Sequence, residues 1–171
     1  MRVFQNVERQ GGGATPGYPV LALIGFVGLC LLVGAVAGLL TAHSVGTWYL
    51  SLARPPGTPP NWVFAPVWTV LYVLIGIAGW MGWRRAGASW PIRLWGWQLL
   101  LNALWPAAFF GLCNTALGLL VILPMLALIV LTIRAFERID RRAALLMLPY
   151  LAWSCYATWL NLGFWWLNPH S

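Results

Sequence analysis

Charged residues in this chain fall in short clusters, and the stretches between them are long and apolar. After Arg2, Glu8 and Arg9 the next charge is Arg54; Arg84, Arg85 and Arg93 follow, and then nothing until Arg134. Glu137, Arg138, Asp140, Arg141 and Arg142 close the series. Such gaps are long enough to cross a hydrocarbon layer of about 30 Å at about 1.5 Å per residue. The pattern predicts an all-α membrane protein, a five-transmembrane-helix bundle in one domain over 20–168. Its spans fall at about 20–42, 62–83, 94–112, 117–133 and 144–166. Only Cys113, Asn114, Thr115 and Ala116 separate the third from the fourth, which predicts an antiparallel hairpin. The polar, glycine-rich stretch 1–19 is expected to be a disordered tail. The first apolar run, 20–42, is longer than the apolar region of a signal peptide.

Between the first two spans lies a loop, 43–61, that differs from the others. Pro55, Pro56, Pro59 and Pro60 fall within six residues. Proline fixes φ and has no N–H to donate, so the stretch is predicted to be a stiff, extended lid. Arg54 opens it, and Trp62, Phe64, Trp68 and Tyr72 follow on the next helix. Flat aromatic surface under a stiff lid suggests a pocket for a flat apolar ligand.

Composition agrees with the pattern. The chain is 61% hydrophobic and 8% charged, with 13 tryptophans. Soluble domains carry about a quarter charged residues. The net charge of +7 is a topology signal rather than a nucleic-acid footprint, because the arginines are divided among short loops. All of them except Arg54 fall on one side of the expected bundle. The positive-inside rule then predicts a cytoplasmic N-terminus, with the lid and C-terminus on the opposite face of a bacterial cell membrane.

Several chemistries find no support. Cys30, Cys113 and Cys155 lack metal-ligand spacing, and His43 and His170 lie at or beyond span ends. No metal site and no cofactor are expected. No catalytic triad or phosphate loop can be assembled. The expected spans hold no Asp, Glu, Lys or Arg, which argues against a proton-coupled transporter.

The polar and aromatic residues inside the spans fall on particular faces. Gln98, Asn102, Trp105 and Phe109 share one stripe of the third span, while Ala103, Ala107 and Gly111 recur on the opposite side. Small residues at that spacing mark a candidate homodimer face, or close packing within one chain. Gly34-x-x-x-Gly38 on the first span is a rival. Trp68, Tyr72 and Ile75 form a stripe on the second span, and Tyr150, Trp153, Ala157 and Asn161 on the fifth. Amides are costly in lipid without partners, so these stripes are expected to face the bundle interior.

These residues carry a resemblance. The blocks PPNWVFAPVWTVLY (59–72), QLLLNALWPAAFFG (98–111) and PYLAWSCYATWLN (149–161) resemble the translocator protein family, also called tryptophan-rich sensory proteins or peripheral benzodiazepine receptors. The resemblance implies a five-helix bundle, usually dimeric, whose pocket is closed by the loop between the first two helices. It implies binding of porphyrin-type tetrapyrroles and, in animal members, of cholesterol and benzodiazepine-like drugs. Asn102, Trp105, Trp153 and Ala157 are the implied pocket residues, with Trp68 and Tyr72 as neighbours; Phe109 is a ligand-binding candidate from its place on the same stripe as Asn102 and Trp105. Arg54, Pro59, Pro60 and Trp62 belong to the lid, and Arg54 is a candidate partner for a ligand carboxylate. The expected function is a membrane receptor or carrier for tetrapyrroles. The alternatives are light-dependent porphyrin breakdown, in which Trp153 would take part, and passive transport. Two positions depart from the family pattern: Gly57 stands where the lid usually has a tryptophan, and Leu117 where the fourth helix often has another. Neither Tyr150 nor Tyr156 has a basic residue close enough to make the animal sterol motif.

Overall fold

A computed structural model describes residues 19–169. Among them every regular element is helical: α1 (Pro19–Gly46), α2 (Trp48–Ser51), α3 (Phe64–Ala86), α4 (Trp90–Pro106), α5 (Thr115–Glu137), α6 (Arg141–Leu146) and α7 (Leu148–Leu167). The expected tail lies outside the described residues, apart from Pro19, which begins α1.

Four stretches are long and apolar enough to cross a membrane: Pro19–Gly46, Asn61–Ala86, Thr115–Glu137 and Arg141–Leu167. The expectation of five is not met by this measure: the expected third span is the one left out, its hydropathy lowered by Gln98, Asn102 and its tryptophans, and its helix is irregular after Pro106. Proline cannot supply the N–H of an α-helical turn. The chain therefore leaves α4 at Pro106 and widens into a π-turn, Ala107–Gly111. Its signature is a bond from the Leu112 N–H to the Ala107 carbonyl at 2.9 Å and one from Asn114 to Phe109 at 3.1 Å. The expected third span, 94–112, is thus an α-helix with a π-turned end. Pro124, by contrast, sits inside a continuous α5.

Boundaries elsewhere follow from local chemistry. Asn114 caps α5, its side chain accepting from the Leu117 N–H at 2.8 Å, and this closes the expected hairpin between α4 and α5. Asp140 caps α6 in the same way, accepting from Arg142 at 3.0 Å. The expected loop 43–61 is largely shortened into helix, since α1 runs to Gly46 and α2 follows at once. Only 52–60 is left as the proline-rich lid.

Packing brings α1 against α3, α4 against α5, and α5 against α7. Glycines set the closest approaches. A Cβ at Gly76 would lie 2.6 Å from the Val27 Cα, so α1 and α3 meet backbone to backbone there. Gly79 makes room for the Trp95 ring, whose Nε1 donates to the Ile75 carbonyl at 3.0 Å and ties α4 to α3. α1 is the peripheral helix: only Cys30, Thr41 and Ser44 are buried on it. At the arginine-rich end, Arg85 pairs with Asp140 at 3.4 Å, and the Arg84 guanidinium lies over the Trp80 ring at 4.8 Å.

Candidate ligand cavity

Two interior amides, Asn102 and Asn161, organise the aromatic residues, whereas the amide of Gln98 is buried without a hydrogen-bond partner among the described residues. Asn102 is 1% exposed and bridges two helices. Its Oδ1 accepts from the Tyr72 hydroxyl at 2.6 Å, and its Nδ2 donates to the Tyr150 hydroxyl at 2.9 Å. Asn161 does the same one layer nearer the lid. Its Oδ1 accepts from Trp105 Nε1 at 3.1 Å, and its Nδ2 donates to the Thr115 carbonyl at 2.8 Å. Both amides are engaged with the protein, so each fixes an aromatic ring in place instead of presenting a free polar edge.

The rings so fixed border a cavity of about 400 Å³ between α1, α3 and the end of α4. Such a volume lies within the ordinary range for small-molecule sites, roughly 300–1,000 Å³. Trp68 and Tyr72 form one wall and Trp105, Pro106 and Phe110 a second. The third is the small-residue face of α1, with Gly34, Ala35, Ala37 and Gly38. A Cβ at Gly34 would collide with the Tyr72 ring, whereas one at Gly38 would meet nothing within 4 Å. Gly34-x-x-x-Gly38, a rival dimer motif by spacing, therefore faces the cavity. At the lid end the lining includes Tyr49 and Asn61. Burial pushes the Tyr49 phenol above the usual tyrosine range, and the Arg54 cation, 5.4 Å over its ring, pulls it partly back.

A second void of about 20 Å³ lies behind the first and shares Tyr49, Phe64, Trp105 and Phe110 with it. Phe109 and Ala157 border this small void and not the large one. Trp153 borders neither; its ring meets Phe64 edge-on at 6.2 Å and Tyr156 at 5.6 Å. Of the seven residues expected to touch ligand, the cavity thus gathers Trp68, Tyr72 and Trp105. Asn102 stands behind Tyr72, and Phe109, Trp153 and Ala157 lie on the α7 side.

The lid is latched to α7. Ala53 is held at both ends by Asn168, its N–H donating to Oδ1 at 2.9 Å and its carbonyl accepting from Nδ2 at 3.0 Å. Pro55 is buried against Gly163, where a Cβ would lie 2.7 Å away. The Tyr156 hydroxyl donates to the Gly57 carbonyl at 2.6 Å. Gly57 has φ +82°, a turn conformation that favours glycine, and an added Cβ would sit 3.8 Å from the Trp159 ring. Pro59 is half-buried, while Pro60 and Trp62 are exposed. Ala103 and Ala107 are half-buried on α4 and the π-turn, and Gly111 is exposed.

Residues 26–167 match the sequence profile of the TspO/MBR family. The chain belongs to the TspO/MBR family. Among relatives, "Tryptophan-rich protein TspO" of Chlorobaculum tepidum is 38% identical over 88% of this chain and 98% of its own length. A protein of the same name from Archaeoglobus fulgidus is 39% identical over 87% of this chain and 98% of its own. The "Translocator protein" of Homo sapiens is 34% identical over 86% and 90%. Membership and the apolar helices make the chain an integral membrane protein.

The wall that sequence reasoning missed in this TspO/MBR member is α1, together with Tyr49 and Asn61. Small residues every fourth position on α1 were the available signal, but spacing alone does not say which surface packs against them. Tyr49 gave no periodic signal because α2 is only four residues long.

Proposed function

We propose that this TspO/MBR protein is a membrane receptor or carrier that binds porphyrin-type tetrapyrroles in the α1–α3–α4 cavity. The observation that carries the proposal is the cavity itself, about 400 Å³ with Trp68, Tyr72, Trp105 and Phe110 on two walls and glycine and alanine on the third. Indole and phenol faces favour a flat, polarisable ligand by stacking, and the small-residue wall leaves room for its width. Trp68, Tyr72 and Trp105 are the contact residues in this reading. Asn102 acts through Tyr72 by holding its hydroxyl. Phe109, Trp153 and Ala157 form a layer behind Phe64 that a ligand reaches only if Tyr49 and Phe64 move.

The topology that goes with this function has five membrane crossings, α4 and its π-turn supplying the third. The arginine-rich end, with Arg84, Arg85, Arg93, Arg134, Arg138, Arg141 and Arg142, faces the cytoplasm by the positive-inside rule. The lid and Arg54 then lie on the opposite face, and the N-terminus is cytoplasmic. The homodimer uses the Ala103, Ala107 and Gly111 side of the third crossing, which α4 leaves at least partly uncovered.

Protoporphyrin titrated into purified protein in the dark, read by tryptophan quenching, tests the binding reading. Saturable quenching supports a receptor, and its absence sinks the proposal. Illumination of the complex follows. A bilin-like absorbance that depends on the protein would convert the receptor into a light-dependent porphyrin-degrading protein.

A further inference from the structure

Among the described residues that line the cavity, one buried side-chain acceptor has no partner in the protein. Around the cavity walls, Thr41 Oγ1 donates to the Ala37 carbonyl at 2.8 Å and Thr69 Oγ1 to the Ala65 carbonyl at 2.8 Å. The Tyr72 hydroxyl is engaged by Asn102, and Trp105 Nε1 by Asn161. Asn61 differs: its Oδ1 is buried and has no hydrogen-bond partner among the described residues. Buried acceptors are almost always paired, so an orphan just beneath the cavity surface, on a residue that lines it, calls for a donor from outside the protein.

Its position is also rigid. Pro59 and Pro60 precede it, Pro60 is extended with φ −57° and ψ 145°, and a tight helical turn over Asn61–Val63 follows. The Val63 N–H donates to the Pro60 carbonyl at 3.0 Å and closes that turn. The side chain thus stands on a base with little freedom, at the lid end of an otherwise apolar slot.

Building on the tetrapyrrole reading, we propose that Asn61 is a specificity-determining residue, its buried carboxamide oxygen accepting a hydrogen bond from an O–H or N–H at one edge of the ligand. The ligand then enters with its donor-bearing edge toward the lid and its apolar body between Trp68, Tyr72 and Trp105. A ligand that lacks the donor leaves the acceptor orphaned inside the complex, which is how a polar site rejects a close analogue.

Haematoporphyrin, which carries hydroxyethyl arms where protoporphyrin has vinyl groups, and its O-methyl ether form a matched pair of probes. The wild-type protein should bind haematoporphyrin roughly tenfold tighter than the ether. Asn61→Leu should bind both alike while melting at or above the wild-type temperature, since the orphaned acceptor is gone. Asn61→Asp, which keeps an oxygen in place, should keep the preference. Equal affinity of wild type for the two probes overturns the proposal without recourse to any variant, as does an undiminished preference in Asn61→Leu. Protoporphyrin distinguishes the two levels of failure. If it binds but the pair is not discriminated, only the role of Asn61 falls; if no porphyrin quenches, the tetrapyrrole reading falls with it.

Discussion

Replacing Asn102 with leucine should destabilise the bundle because it strands two phenols. The side chain is 1% exposed, and it accepts from Tyr72 at 2.6 Å while donating to Tyr150 at 2.9 Å. Leucine has a similar volume, so the change removes the polar partners with little cavity left behind. In a soluble protein each orphaned group would cost about 1–3 kcal/mol. In a membrane the competing state also finds polar partners, and interhelical hydrogen bonds average about 0.6 kcal/mol with a maximum near 1.7. The membrane value governs here, and two bonds give about 1–3 kcal/mol. Thermal unfolding in detergent, followed by circular dichroism, should show a drop of roughly 2–12 °C, at about 2–4 °C per kcal/mol for a chain of this size. The decisive control is the same substitution in a Tyr72→Phe/Tyr150→Phe background. With both hydroxyls gone, Asn102→Leu should cost well under half as much. An equal cost in the two backgrounds would refute the hydrogen-bond account and point to packing.

Three further outcomes follow from the geometry. Gly76→Ala places a Cβ 2.6 Å from the Val27 Cα, and both sides are backbone, so α1 and α3 must separate; the expected loss is about 1–3 kcal/mol by denaturant melting. Asn168→Ala removes both bonds to Ala53 at 2.9 and 3.0 Å, and limited proteolysis within 53–60 should accelerate roughly 5- to 30-fold. Trp153→Phe should leave protoporphyrin affinity within about twofold, because Trp153 does not border the cavity, whereas Trp68→Ala should weaken it roughly tenfold or more.

Much of this architecture was legible in the sequence because the bilayer imposes long apolar runs and punishes unpaired polar groups. Asn102 and Asn161 could be placed in the interior for that reason, and both lie at 1% exposure. The sequence could not say what they would touch there. Their amides satisfy Tyr72, Tyr150, Trp105 and Thr115, since inside an apolar bundle the nearest donor and acceptor are other helices. A proline at 106 signals an irregular helix but not a π-turn, because proline removes an N–H without dictating which carbonyl the next donor finds. The lid's stiffness came from its prolines, but its anchoring did not. Asn168 and Tyr156 lie 115 and 99 residues from their lid partners, and no local pattern encodes a contact at such separation. Gly57 is the related case: its turn faces Trp159 on α7, a relation that only the folded chain displays.

The central claim is that ligand occupies the cavity bounded by α1, α3 and α4, and Gly38 offers the most direct test. Gly38 lines that cavity, and an added Cβ there meets nothing within 4 Å. Gly38→Phe should therefore fill the space without disturbing the helices, and a phenylalanine is better tolerated in a helix than glycine by a few tenths of a kcal/mol. Dark titration with protoporphyrin, alongside a melting curve, reads both consequences at once. Unchanged melting and a loss of affinity of roughly tenfold or more are expected. Wild-type affinity in a well-folded Gly38→Phe protein would contradict the claim.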